Sequence, residues 1–119
     1  MEEIKILTVF QVITLHTKSL KKYGGETGVL KKNYIESSLD ISYMEAYPIP
    51  WIAGKLFYRF STSHIFIDGN KRVSFLVAKA FLDINNYKYT GKIKDVKELA
   101  MKVAKSEATD KDCMAHFFS

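Results

Sequence analysis

Apolar residues recur at helical spacing along most of this chain. Val9, Val12, Ile13, Leu15, His16, Leu20 and Tyr23 share one face of a predicted first helix, with Thr8 in front as cap and Gly24-Gly25 as stop. A second helix is predicted over residues 33–45, with Ile35, Leu39 and Met44 inward. Tyr47-Pro48-Ile49-Pro50 breaks it, because proline lacks the backbone donor and disfavours helix in the residue before it. A third runs over 51–62 and carries Ile52, Leu56, Phe57 and Phe60, with Pro50 where a helix start tolerates it. The fourth, from Asn70 to Ile84, is apolar almost all round, the pattern of a helix buried at the centre, and Asn85-Asn86 ends it. Residues 87–90 alternate and are expected to be briefly extended. Two last helices, over 95–105 and 109–117, are each expected to have a capping residue in front. The expectation is an all-α fold, a compact bundle of about six helices, forming one domain over residues 1–119.

Composition narrows the class only a little. A hydrophobic share of 47% and a charged share of 26% suit an ordinary globular domain. No apolar run approaches the ~20 residues that span a bilayer, so no membrane association is expected. The opening Met1-Glu2-Glu3-Ile4-Lys5 lacks the basic start and apolar stretch of a signal peptide, and Cys113 is the only cysteine. A reducing, cytoplasmic location is expected. The net charge of +5 comes from scattered lysines without a block of like charges. No basic recognition helix in a helix-turn-helix pair is visible either, so nucleic acid is not an expected partner.

The chemistry concentrates in one loop. Residues 64–72 bring together an imidazole, a carboxylate, a glycine, an amide and two adjacent cations, immediately before the most hydrophobic helix. The first turn of that helix offers unpaired backbone N–H groups and the positive end of its dipole, an anion site. Gly69 permits close approach of a ligand, and Lys71 and Arg72 add full charges. Asp68 suits Mg²⁺, which takes one or two carboxylates plus substrate phosphates. His64 can accept a proton near neutral pH. Phe66, with Ile65 or Ile67, would anchor the loop in the core. Plainer readings stand beside these: Asp68 as a simple helix cap, His64 as a packed histidine. Lys71 and Arg72 as mere surface charges are disfavoured at a helix N-terminus.

The run His64-Ile65-Phe66-Ile67-Asp68-Gly69-Asn70-Lys71-Arg72 resembles the motif of the Fic/Doc family, His-x-Phe-x-Asp/Glu-Gly/Ala-Asn-Gly/Lys-Arg. Leu15-His16, Lys22-Tyr23-Gly24-Gly25 and Gly28 are similar to the first helix and turn of its death-on-curing (Doc) branch. The resemblance implies a compact all-α fold, His64 as the base that deprotonates a target hydroxyl, and Asp68 as the Mg²⁺ ligand. It implies that Gly69, Asn70, Lys71 and Arg72 bind the phosphates of ATP. Most members transfer AMP to a protein hydroxyl. The Doc branch transfers the terminal phosphate to a translation factor, and a separate antitoxin neutralises it.

Two positions choose between these branches. Lys71 stands where AMP-transferring members have glycine, as in Doc, and Phe75 stands where they carry a second arginine. Both favour phosphotransfer, with AMP transfer as the alternative and a non-catalytic binding module as the reading from another class. No Ser/Thr-x-x-x-Glu-Gly/Asn inhibitory sequence is present, which favours control by a partner protein. Other features point to structure: His16 as a buried structural residue, and residues 24–28 as a chain reversal rather than a phosphate loop, since no Gly-Lys-Ser/Thr follows. Cys113 and His116 are only two potential ligands and make no zinc site. Residues 43–50 are expected, from the family, to lie near a flap that pairs with the target peptide.

Overall fold

The computed structural model describes residues 3–118. Its six α-helices are α1 (Val9–Tyr23), α2 (Lys32–Leu39), α3 (Ile49–Thr62), α4 (Asn70–Ile84), α5 (Ile93–Ala104) and α6 (Asp110–Phe118), and no strand is formed among the described residues. The chain is therefore an all-α bundle. Thr8 caps α1 as the sequence predicts: its hydroxyl accepts the Gln11 N–H while the Gln11 side chain accepts the Thr8 N–H. Gly24, at φ 81°, closes the helix through an N–H bond to the Leu20 carbonyl.

α3 lies at the centre, with α4 on one side and α6 on the other. Ile52, Ala53, Leu56, Phe57 and Phe60 are all fully buried. α6 approaches closely at Gly54, where a Cβ would stand 2.4 Å from both the Cys113 carbonyl oxygen and the Met114 Cα. α4 packs between α1 and α3 and buries Val73, Val77, Ala78, Phe81 and Leu82. Its outer face meets solvent, where Lys79 and Asp83 pair at 3.2 Å.

Four predicted elements differ, the simplest being α3, which begins at Ile49 rather than residue 51. The second helix stops at Leu39 instead of continuing to residue 45, and a short 3-10 turn follows at Ser42–Met44. The cause is tertiary. Arg59 of α3 donates to the Ser38 and Asp40 carbonyls, at 3.1 and 2.6 Å, which a continuing helix would need as acceptors. Asp40 Oδ1 meanwhile takes the Ser42 N–H. That bond, ahead of the charge of Arg59, holds the Asp40 carboxyl below its usual range.

α5 starts at Ile93, two residues early, and Lys92 in front of it makes no side-chain cap. The Lys92 carbonyl instead takes the first helical N–H bonds, and Asp95 places a negative charge in the first turn. α6 does have its cap, with Thr109 and Asp112 exchanging bonds.

Residues 87–90 form no strand. Asn86, at φ 64°, turns the chain, and Tyr89 folds back onto Phe75 and Phe117, with its hydroxyl 2.9 Å from His116 Nε2. The strand-like pairing seen lies elsewhere: Gly28 to Lys31 run against Ile65 to Ile67, joined by Ile67 N–H to Gly28 O and Leu30 N–H to Ile65 O. Residues 43–50 hold part of the 3-10 turn and the entry to α3, with Tyr43 and Tyr47 exposed. Among the described residues no helix is long and apolar enough to cross a membrane.

Candidate functional site

The loop between α3 and α4 is fixed from below by two apolar side chains. Ile65 and Phe66 are buried, whereas Ile67 is 47% exposed, which resolves which isoleucine anchors the loop. Phe66 stacks on the ring of His16, centroids 3.8 Å apart and planes 13° from parallel. His16 Nε2 lies 2.7 Å from the Asp68 carbonyl oxygen. A carbonyl only accepts, so Nε2 carries the hydrogen. Asn70 closes the loop from the other end: its Oδ1 accepts the Phe66 N–H at 3.0 Å, and its Nδ2 donates to the Phe66 carbonyl at 2.8 Å. With the side chain so engaged, Asn70 offers an anion its backbone N–H.

Above this floor the predicted residues meet. His64, Asp68, Gly69, Asn70, Lys71 and Arg72 line one cavity of about 830 Å³, joined by Gly24-Gly25 from the turn after α1. His64 is exposed and sits at φ 49°, a left-handed conformation that non-glycine residues seldom adopt. Gly69, at φ 79°, is the N-cap of α4 and supplies no side chain to the helix start. The first helical bond returns from Val73 to the Gly69 carbonyl, so the N–H groups of Asn70, Lys71 and Arg72 have no intrahelical partner.

Asp68 is not the helix cap. Its Oδ1 accepts the adjacent Gly69 N–H at 2.8 Å, and Oδ2 accepts the Glu26 N–H at 3.3 Å. The exposed carboxylate keeps lone pairs free on both oxygens. One hard oxygen donor beside a cavity that opens on the orphan N–H groups of α4 suits Mg²⁺, which retains waters and takes its other ligands from substrate. The described residues hold no group of three or more metal-binding side chains, so a closed, all-protein metal cage is not what this site offers.

The electrostatics are lopsided. Lys71 and Arg72 both lie in the first turn of α4, where the helix dipole repels cations. Among the described residues the salt bridges are Lys55–Asp110 and Lys79–Asp83, and neither loop cation has a carboxylate within bridging distance. The Arg72 guanidinium instead lies 4.5 Å over the ring of Tyr23.

Several contributors were not visible as site residues in the sequence. His16 reads there as structural, yet it holds the Asp68 carbonyl. Tyr23 reads as a core position, yet it is exposed and lies under Arg72. The turn at 24–28 does reverse the chain, and it also borders the cavity and supplies the Glu26 N–H. Gly25 is required there, because at φ 125° a Cβ would stand 2.9 Å from Asp68 Oδ2. The cluster of glycines was the available signal; its approach to a loop some 40 residues away was not. Cys113 is buried in the α3–α6 contact, its thiol pushed up to about 12 by burial, an inert core group.

The model of the Fic/DOC family matches residues 6–82, from before α1 through most of α4 and including the whole loop. The chain belongs to the Fic/DOC family. Its members are typically transferases that modify other proteins. No curated protein matches the chain.

Proposed function

We propose that this protein is a Doc-like, Mg²⁺- and ATP-dependent phosphotransferase that moves the terminal phosphate of ATP to a Ser or Thr hydroxyl of a target protein. The observation that carries this reading is the start of α4. Three orphan N–H groups and two cations without carboxylate partners converge beside an exposed imidazole, an arrangement that a bound anion would stabilise.

In the proposed step His64 takes the proton of the target hydroxyl as its oxygen bonds to the terminal phosphorus. The bond from that phosphorus to its bridging oxygen breaks, and ADP leaves with the electron pair. The N–H groups of residues 70–72, with Lys71 and Arg72, hold and neutralise the phosphate oxygens. Asp68 would hold Mg²⁺, which supplies further charge neutralisation when bound. The side chains of His16 and Asn70 keep Asp68 and the helix start in place and touch no reacting atom.

Lys71 and Phe75 favour phosphate over AMP as the group transferred. A lysine fills the space that glycine leaves open, and phenylalanine removes a second phosphate clamp. The target would be a translation factor and the regulator a separate antitoxin, as in the Doc branch. The test is label transfer in bacterial lysate with Mg²⁺, comparing α- and γ-labelled ATP. Label from the γ position alone supports the reading. Label from the α position would make the protein an AMP transferase, and no label in any target would favour the binding-module alternative.

A further inference from the structure

One face of α1 runs beneath the loop that opens α4. His16, Leu20 and Tyr23 are spaced four and three residues apart, so they share that face, one to each turn. They meet the loop in order. His16 holds the Asp68 carbonyl, and a Cβ on Gly69 would stand 3.5 Å from both His16 Nε2 and Leu20 Cδ2. Tyr23, the last residue of the helix, lies under Arg72, with the guanidinium carbon 4.5 Å from its ring centroid.

Core packing does not explain the Tyr23 ring. The residue is 57% exposed, and Arg72 is exposed as well. Lys22 Nζ lies 5.3 Å over the same ring, so the ring serves as a platform for cations. The contact matters because of where Arg72 sits. It has no carboxylate partner among the described residues, and the dipole of α4 repels it. Beside the phosphate cavity lies a second, largely apolar cavity of about 580 Å³ between α4 and α5, and Arg72 lines both. A long, exposed side chain has many rotamers, and a ligand that needs one of them works against their entropy. The face of a tyrosine ring attracts the guanidinium without neutralising it. A carboxylate in the same place would compete with an incoming phosphate.

We infer that Tyr23 is a positioning residue for Arg72: its ring holds the guanidinium at the edge of the phosphate cavity before the ligand arrives. The inference rests on the reading of the α4 start as a phosphate site, and adds how one of its cations is kept in place.

The experiment is calorimetric titration of the full chain with inorganic tripolyphosphate and Mg²⁺. The wild type is compared with Tyr23→Leu, Tyr23→Phe, Arg72→Gln, and the double variant Tyr23→Leu with Arg72→Gln. Leucine keeps apolar bulk and helix propensity at an exposed position, so the fold is kept. Tyr23→Leu is expected to weaken binding about two- to fivefold, the loss of one exposed cation–π contact. Tyr23→Phe retains the face of the ring and should recover the affinity. Once Arg72→Gln has removed the cation, Tyr23→Leu should cause no further loss. Undiminished affinity in Tyr23→Leu, or the same loss with and without Arg72, would overturn the inference while the phosphate site stands. A Tyr23→Phe variant as weak as Tyr23→Leu would overturn it too, by assigning the effect to the hydroxyl. If the wild type binds no tripolyphosphate, the phosphate-site reading itself falls, and the inference with it.

Discussion

His16 Nε2 sits 2.7 Å from the Asp68 carbonyl, so the first helix of the bundle holds the backbone of the loop that opens the fourth. The two residues are 52 apart in sequence. The bond works together with the stack of His16 on Phe66, and the two contacts can be separated by mutation.

His16→Phe keeps an aromatic ring against Phe66 and deletes the donor. The Asp68 carbonyl, in a part-buried bond, then lacks its protein partner, at a cost of about 1 kcal/mol. His16→Gln restores a donor without the stack. If His16 positions the loop, transfer activity should fall at least tenfold in His16→Phe and recover partly in His16→Gln, even where the Gln variant is the less stable. Label transfer and thermal denaturation of both variants check this. Activity that merely follows melting temperature would make His16 a packing residue only.

His64 and Asp68 are exposed on the cavity and are not needed by the core, so their substitution should leave folding intact. His64→Ala is expected to abolish transfer, with ATP affinity within about twofold of wild type, since a general base contributes 10²–10⁴ in rate and little to binding. Asp68→Asn should remove both activity and the response of ATP binding to Mg²⁺. Titration with ATP, with and without Mg²⁺, separates the two roles. Equal loss of ATP binding in both variants would argue that His64 is a ligand-holding group.

The six helices were legible because their signals are local. Thr8 and Gln11 are three residues apart and box the start of α1; Gly24 ends it; the apolar spacing of Ile52, Leu56, Phe57 and Phe60 marks α3. What was not legible is imposed from a distance. Nothing near Asp40 announces that Arg59 will take the two carbonyls that end α2. The loop was legible as chemistry because its polar residues are contiguous. Its support was not, since His16 and Tyr23 arrive from α1, whose own periodicity places Tyr23 in the core and His16 beside it, and the Glu26 N–H from the turn that follows. The periodicity was right for His16 and wrong for Tyr23, which faces Arg72 across the last turn of α1.

The pair Lys71 and Phe75 should determine which phosphorus is attacked. Lys71→Gly reopens the space beside the helix start, and Phe75→Arg restores a second clamp one turn along it. The double variant is expected to lose most γ-phosphate transfer and to gain detectable α-label transfer, with each single variant intermediate. Mass spectrometry of the modified target distinguishes phosphate from AMP. Unchanged phosphate transfer in the double variant would show that these two positions do not set the outcome.

His116 couples stability to pH. Burial lowers its pKa below the usual 6.5, with the charge of Asp95 opposing the shift. The unfolded chain therefore takes up the proton first as pH falls. Stability is fully present above about pH 6.5 and declines as the pH drops through the lower folded value. Urea midpoints at pH 7.5 and 5.5 should show this decline in the wild type and a smaller one in His116→Gln. The same decline in both would assign it to other groups.

The α3–α6 contact gives a stability test that leaves the loop alone. Gly54 is the point of closest approach, where a Cβ would enter the backbone at Cys113 and Met114. Gly54→Ala gains helix propensity, by about 1 kcal/mol, yet the added methyl meets main chain, which yields less readily than a side chain. The clash should win, with net destabilisation of about 1–3 kcal/mol. Because Gly54 lines neither cavity, ATP affinity of the folded protein should be unchanged. Thermal denaturation and ATP titration of the one variant decide both points. A melting temperature equal to or above that of wild type would mean that α6 can shift away from α3 at no cost, and that the close approach does not hold the two helices together.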